Sequence, residues 1–105
     1  DEDRQFTLDL LLPRIQRKDH RVRLAVTQAL GRVASRGDEV VLPILFARTQ
    51  DGCSDVRRAA VQALQAVVAV PSTLVLQTVI GLLSDSDEHV VRAAARAVGK
   101  IAGKD

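Results

Sequence analysis

Few side chains in this chain carry reactive chemistry. There are two histidines, His20 and His89, one cysteine, Cys53, and a pair of neighbouring acids, Asp85 and Asp87. Catalysis requires groups of matched pKa that converge on one point. Cys53 and His20 are a candidate nucleophile and base, but no third residue is spaced to orient them. Asp85 and Asp87 have no opposing carboxylate, and they suit the start of a helix better than acid–base work. The chain holds no glycine-rich phosphate cradle, no histidine–glutamate metal pair and no serine-centred elbow. What does gather is positive charge. Arg92, Arg96 and Lys100 stand at i, i+4 and i+8, which places them on one helical face. A second group, Arg14, Arg17, Lys18, Arg21 and Arg23, lies around one turn and reads as solvated surface.

These residues sit in an unusual background. The 105 residues are 47% hydrophobic with a mean hydropathy of +0.07, too apolar for a disordered segment. The apolar set is nearly all Ala, Val, Leu and Ile, with two Phe and no Trp, Tyr or Met, so packing must be aliphatic and close. Charges interrupt every apolar run well short of the roughly 20 residues that span a bilayer, and Asp1-Glu2-Asp3 is the reverse of a secretion signal. A cytoplasmic chain with no membrane contact is expected. The single cysteine excludes an internal disulfide and a multi-thiolate metal site. A net charge of +2 permits nucleic acid as a partner without pointing to it.

The dominant signal is a period. Val22, Val56 and Val90 are spaced by 34 residues. The same offset links Ala25, Ala59 and Ala93; Ala29, Ala63 and Ala97; Leu30, Leu64 and Val98; and Val33, Val67 and Ile101. One apolar helical stripe is thus written three times. Upstream of each stripe a second apolar segment repeats in register: Leu8, Leu42 and Leu76, then Leu11, Leu45 and Val79, then Leu12, Phe46 and Ile80. The expected fold is all-α, an α-solenoid of three helical hairpins: six antiparallel helices in a right-handed superhelical stack. Helices are predicted near 4–17, 20–36, 38–50, 54–69, 72–84 and 87–102. Asp19, Ser54, Asp87 and Ser72 are the expected N-caps, and Gly37-Asp38 should close one helix and cap the next. Pro13 and Pro43 should bend or loosen the first helices in which they fall. Two hairpins separate His20 from His89, roughly 20 Å at about 10 Å per packed layer, too far to share a metal.

The run Ser84-Asp85-Ser86-Asp87-Glu88-His89-Val90-Val91-Arg92-Ala93-Ala94-Ala95-Arg96-Ala97-Val98-Gly99-Lys100-Ile101 resembles a HEAT-like repeat, of the short type also seen in phycobilisome lyases. Asp51-Gly52-Cys53-Ser54-Asp55-Val56-Arg57-Arg58-Ala59-Ala60 is similar to the same pattern. The first copy keeps Asp19, Val22, Arg23, Ala25, Ala29, Leu30 and Gly31. The copies cover nearly the whole chain, as one domain, 1–105, with repeats near 3–37, 38–71 and 72–105. Arg17 stands where the other copies have Asp51 and Asp85, and Val91 where they have Arg23 and Arg57. Any ladder of Asp–Arg pairs is therefore incomplete, and it is expected to contribute little, since exposed pairs are worth about 0–1 kcal/mol.

The resemblance implies that the second helices line a concave side whose outward positions meet a ligand. Carried over by register, those positions are Leu24, Arg58 and Arg92; Gln28, Gln62 and Arg96; and Arg32 and Lys100, with Ala66 between the last two. The implied function is a non-catalytic interaction module that takes an acidic protein partner and needs no cofactor or metal. The same strip suits a phosphate backbone, although no aromatic platform is present for base stacking. A bilin-lyase-like activity is admitted by the resemblance but supported by no residue. The last helix still carries Val90, Ala94, Val98 and Ile101, and the first carries Phe6, Leu8, Leu10, Leu11 and Leu12. Exposed apolar ends point to a fragment of a longer array or to end-to-end self-association.

Overall fold

A computed structural model of the chain describes residues 2–103; Asp1, part of the acidic start noted above, and Lys104 and Asp105 fall outside them. All regular structure among the described residues is helical. It comprises α1 (Glu2–Leu11), α2 (His20–Val33), α3 (Val41–Arg48), α4 (Ser54–Val67), α5 (Thr73–Gly81) and α6 (Glu88–Ala102), with 3-10 turns at Leu12–Arg14 and Leu82–Ser84. The Cα envelope measures 35 × 33 × 16 Å. That is a slab two helices thick, with α1, α3 and α5 in one layer and α2, α4 and α6 in the other.

Helix ends follow side-chain chemistry, with two departures from the expected pattern. Asp19 accepts from the Arg21 amide, Asp87 from the His89 and Val90 amides, and Ser72 from the Val75 amide, so these three cap as expected. Ser54, however, is the first residue of α4; Cys53 holds the N-cap position and caps nothing with its thiol. Asp51 instead accepts from the Cys53 amide at 2.9 Å, so the turn is ordered from two residues upstream. Gly37 does not close α2, which ends at Val33. It adopts φ 73° in the turn and donates its amide to the Val67 carbonyl at 2.6 Å, tying the first inter-hairpin turn to the end of α4. Asp38, buried, accepts from the Val40 and Val41 amides and pairs with Arg4 of α1.

The prolines act differently from one another. Pro13 ends α1 at Leu11 and turns the chain into a 3-10 segment, so the expected helix 4–17 is cut short. Pro43 lies in the first turn of α3, where its amide would have had no helical partner, and α3 passes through it.

Burial shows which way each column of the repeat faces. The columns at 25, 29 and 33 look toward the preceding hairpin: Ala59, Ala63 and Val67 are buried in the middle copy and Ala93, Ala97 and Ile101 in the last. In the first copy, Ala25 is exposed and Ala29 and Val33 are half-buried, because no hairpin precedes them in the structure. The columns at 15 and 27 look toward the following hairpin. Ile15, Thr49, Thr27 and Val61 are buried, whereas Leu83 is 41% exposed and Ala95 is exposed. Val90, Ala94 and Ile101 of the last helix are buried and Val98 half-buried, so the apolar surface of that end is carried by neighbours of the residues expected to form it.

The two layers pack unequally. α4 lies directly against both α2 and α6, while α3 and α5 pack mainly on their own partners α4 and α6 and scarcely touch each other. Small residues permit the close side: a Cβ built on Gly31 would fall 2.8 Å from that of Ala63. Second helices thus pack closely while open space separates α3 from α5, so the α2–α4–α6 layer is the tighter, inner side of the stack.

Candidate functional surface and the ladder beneath it

Along one edge of the slab, two equivalent rungs join successive hairpins. Arg23 makes a two-pronged pair with Asp51, its Nε and Nη2 each 2.9 Å from a carboxylate oxygen. Arg57 repeats this with Asp85, again at 2.9 Å on both prongs. The third guanidinium nitrogen of each arginine turns back on its own hairpin. Arg23 donates to the Arg17 and Lys18 carbonyls, and Arg57 to that of Asp51. Each arginine therefore fixes its own turn and the next turn together. Arg48 adds a further bond to Asp51 at 3.1 Å.

This corrects the expectation that such pairs are exposed. The Asp51 and Asp85 side chains are 2% and 8% exposed, and their arginines 16%. Bidentate, partly desolvated pairs are geometrically specific and far more costly to break by removing one partner than surface pairs are, because a buried charge is then left unpaired. For Asp51, burial pushes its pKa upward, but the bonds from Arg23 and the Cys53 amide, with the field of Arg23 and Arg48, outweigh burial and leave it lowered. Asp85 is lowered chiefly by the Arg57 hydrogen bond, with the Asp87 amide and the Arg57 charge assisting against burial. The ladder does stop at the third copy, where Val91 replaces the arginine.

On the inner side, the structure places the expected contact residues on the outward edge of α2, α4 and α6. Gln28, Arg32, Gln62, Arg92, Arg96 and Lys100 are exposed, and Leu24 and Arg58 are half-buried. Gln28, Arg32 and Gln62 converge on a shallow cleft of about 220 Å³ floored by Gly31, Ala59, Ala63 and Ala66. The remaining cations lie along the same side on α4 and α6. Two have local partners: Arg58 stands 3.6 Å from Asp55, and Arg92 pairs with Glu88 one turn earlier. Among the described residues no carboxylate engages Arg32, Arg96 or Lys100.

A feature the sequence did not disclose lies on the opposite side. Between α3 and α5, a hollow of about 490 Å³ is lined by Leu42, Pro43, Phe46, Thr49, Gln50, Leu74 and Thr78. Its sequence trace is the presence of apolar residues on more than one face of the first helices. Leu74, 62% exposed, belongs to the rim.

Cys53 is a half-buried free thiol, and His20 and His89 are exposed in different turns. No group of three or more His, Cys, Asp or Glu among the described residues is placed to hold a metal. No described helix is long and apolar enough to cross a membrane.

Hairpins in tandem, an inner layer of second helices and Arg–Asp rungs between successive turns define an α-solenoid of the helical-repeat class. The family model for HEAT repeats matches residues 3–65 and 50–105, and the chain belongs to that family. HEAT repeats generally serve protein interaction and scaffolding and are typically non-catalytic. No curated protein matches the chain.

Proposed function

We propose that this chain is a non-catalytic docking module that receives an acidic protein segment on its inner side, through Leu24, Gln28, Arg32, Arg58, Gln62, Arg92, Arg96 and Lys100. The observation that carries the reading is the convergence of Gln28, Arg32 and Gln62 on one cleft, with Arg96 and Lys100 on the same side and no carboxylate among the described residues engaging either of them. Glutamine amides donate to and accept from a peptide backbone, and unpaired guanidinium groups bind carboxylates bidentately. The close Gly31–Ala63 approach sets the spacing of α2 and α4 that forms the floor of the cleft.

The test uses a fluorescent oligoglutamate peptide and a duplex DNA of equal net charge. Wild-type chain should bind the peptide, and a variant with Arg92, Arg96 and Lys100 all changed to Ala should bind at least about tenfold more weakly, equivalent to about 1.4 kcal/mol. Tighter binding of the duplex, with a steep salt dependence lost in the same variant, would transfer the strip to nucleic acid. Equal peptide affinity for wild type and variant would reject it as a contact surface.

A further inference from the structure

The two outer faces of the described stack carry, at equivalent columns, the residues that meet at its internal junctions. Toward the C-terminal end, Ile80 is 49% and Leu83 41% exposed, while Phe46 and Leu12 are half-buried and Thr49 and Ile15 are buried in the same columns. Gly99 has no neighbour within 4 Å of where a Cβ would stand, whereas Gly31, in its register, abuts Ala63. Toward the N-terminal end, Ala25 is exposed where Ala59 and Ala93 are buried, and Leu10 is 49% exposed where Ile44 is half-buried. The junctions between α2 and α4 and between α4 and α6 show twice how such surfaces fit together.

We propose that the chain self-associates head to tail, the N-terminal end of one copy docking on the C-terminal end of the next in the register that relates its own hairpins. Ala29 of the incoming copy then meets Gly99 as Ala63 meets Gly31, and Leu10 and Ala25 cover Ile80, Leu83 and Ala95.

The rung position selects this occupant. A hairpin carrying the usual aspartate would bring its carboxylate against Val91 with no arginine to receive it, and an unpaired, partly buried carboxylate is strongly disfavoured. The first hairpin of this same chain carries Arg17 there instead. Around Arg17, the first turn presents Arg14 and Lys18, all exposed; beside Val91 the far end carries Asp87, half-buried and capping α6, and the exposed Glu88, which pairs with Arg92. The charge order of the internal rungs is thus reversed, with base on the arriving turn and acid on the receiving helix. Such a contact is heterologous, so it propagates rather than closing as a symmetric dimer.

Sedimentation velocity on the 105-residue chain tests this. Wild type should form dimers and longer species as concentration rises. Leu83→Arg blocks one end and Ala25→Arg the other; both positions are exposed, so the variants should keep the wild-type circular dichroism. Each should be monomeric alone, and an equimolar mixture should give a heterodimer and nothing longer, because each retains one working end. Wild type that stays monomeric up to roughly 1 mM would overturn the proposal and give the end faces to another polypeptide. So would association of Ala25→Arg alone, since that requires like ends to pair. A variant with Arg96 and Lys100 changed to Ala, which keeps Arg92 on Glu88, should associate as wild type does, which separates this result from the fate of the peptide site.

Discussion

Arg57 and Arg58 are adjacent in sequence, yet the structure gives them opposite duties. Arg57 spans two hairpins through Asp85, whereas Arg58 stands 3.6 Å from Asp55 on its own helix. Arg57→Ala leaves a nearly buried carboxylate without its main partner and is expected to destabilise the chain by about 2 kcal/mol, below the 3–5 kcal/mol of fully buried pairs. Arg58→Ala should change stability by less than about 0.5 kcal/mol. Urea denaturation of the two variants measures both. The same rungs set the acid response. Asp51 and Asp85 have lowered pKa values in the folded chain, so the stability they contribute is fully present above the unfolded aspartate value of about 4 and is lost as pH falls through their folded values. Thermal midpoints should therefore drop on acidification below about pH 4, and less steeply in Asp51→Asn, which has one linked carboxylate fewer.

Helix spacing depends on which neighbour a small residue meets. Gly31 and Gly99 hold the same register, but only Gly31 faces another helix at close range. A methyl group there must push α2 from α4, and Gly31→Ala is expected to destabilise by about 1–3 kcal/mol. At Gly99 the added Cβ meets open space, so Gly99→Ala should stabilise by about 0.5–1 kcal/mol through helix propensity alone. Opposite shifts in thermal midpoint, recorded at a dilution where the chain is monomeric, are the expected result. The capping of α4 makes a related point. A serine beside a helix start reads as an N-cap, yet the turn is held by Asp51, whose carboxylate simultaneously receives Arg23 and Arg48. Local preference yields to a residue that serves three elements at once.

Across the whole molecule, stability is shared between neighbours rather than gathered at one centre. α4 is covered on both sides, and Val56, Ala60, Val61 and Leu64 are all fully buried. α1 and α6 each have one side open. Hydrogen exchange should accordingly be slowest in α4 and fastest in α1, and mass spectrometry of peptic fragments checks the order. Leu64→Ala should destabilise by about 3 kcal/mol, against about 1 kcal/mol for Val98→Ala in the same column, because Val98 is already half open.

The amino-acid order alone determined the hairpin count, the period and the inward stripe, since a recurring aliphatic pattern can be buried only by stacking its copies side by side. It also marked the outward positions of α2, α4 and α6, because helical spacing fixes which residues share a face. It did not disclose the strength of the Arg23–Asp51 and Arg57–Asp85 rungs, whose partners are 28 residues apart and whose burial exists only once the turns are stacked. Nor did it show the hollow between α3 and α5 or the matched open ends. Those depend on how far apart packed helices stand and on which column has a neighbour, and both are properties of assembly in three dimensions.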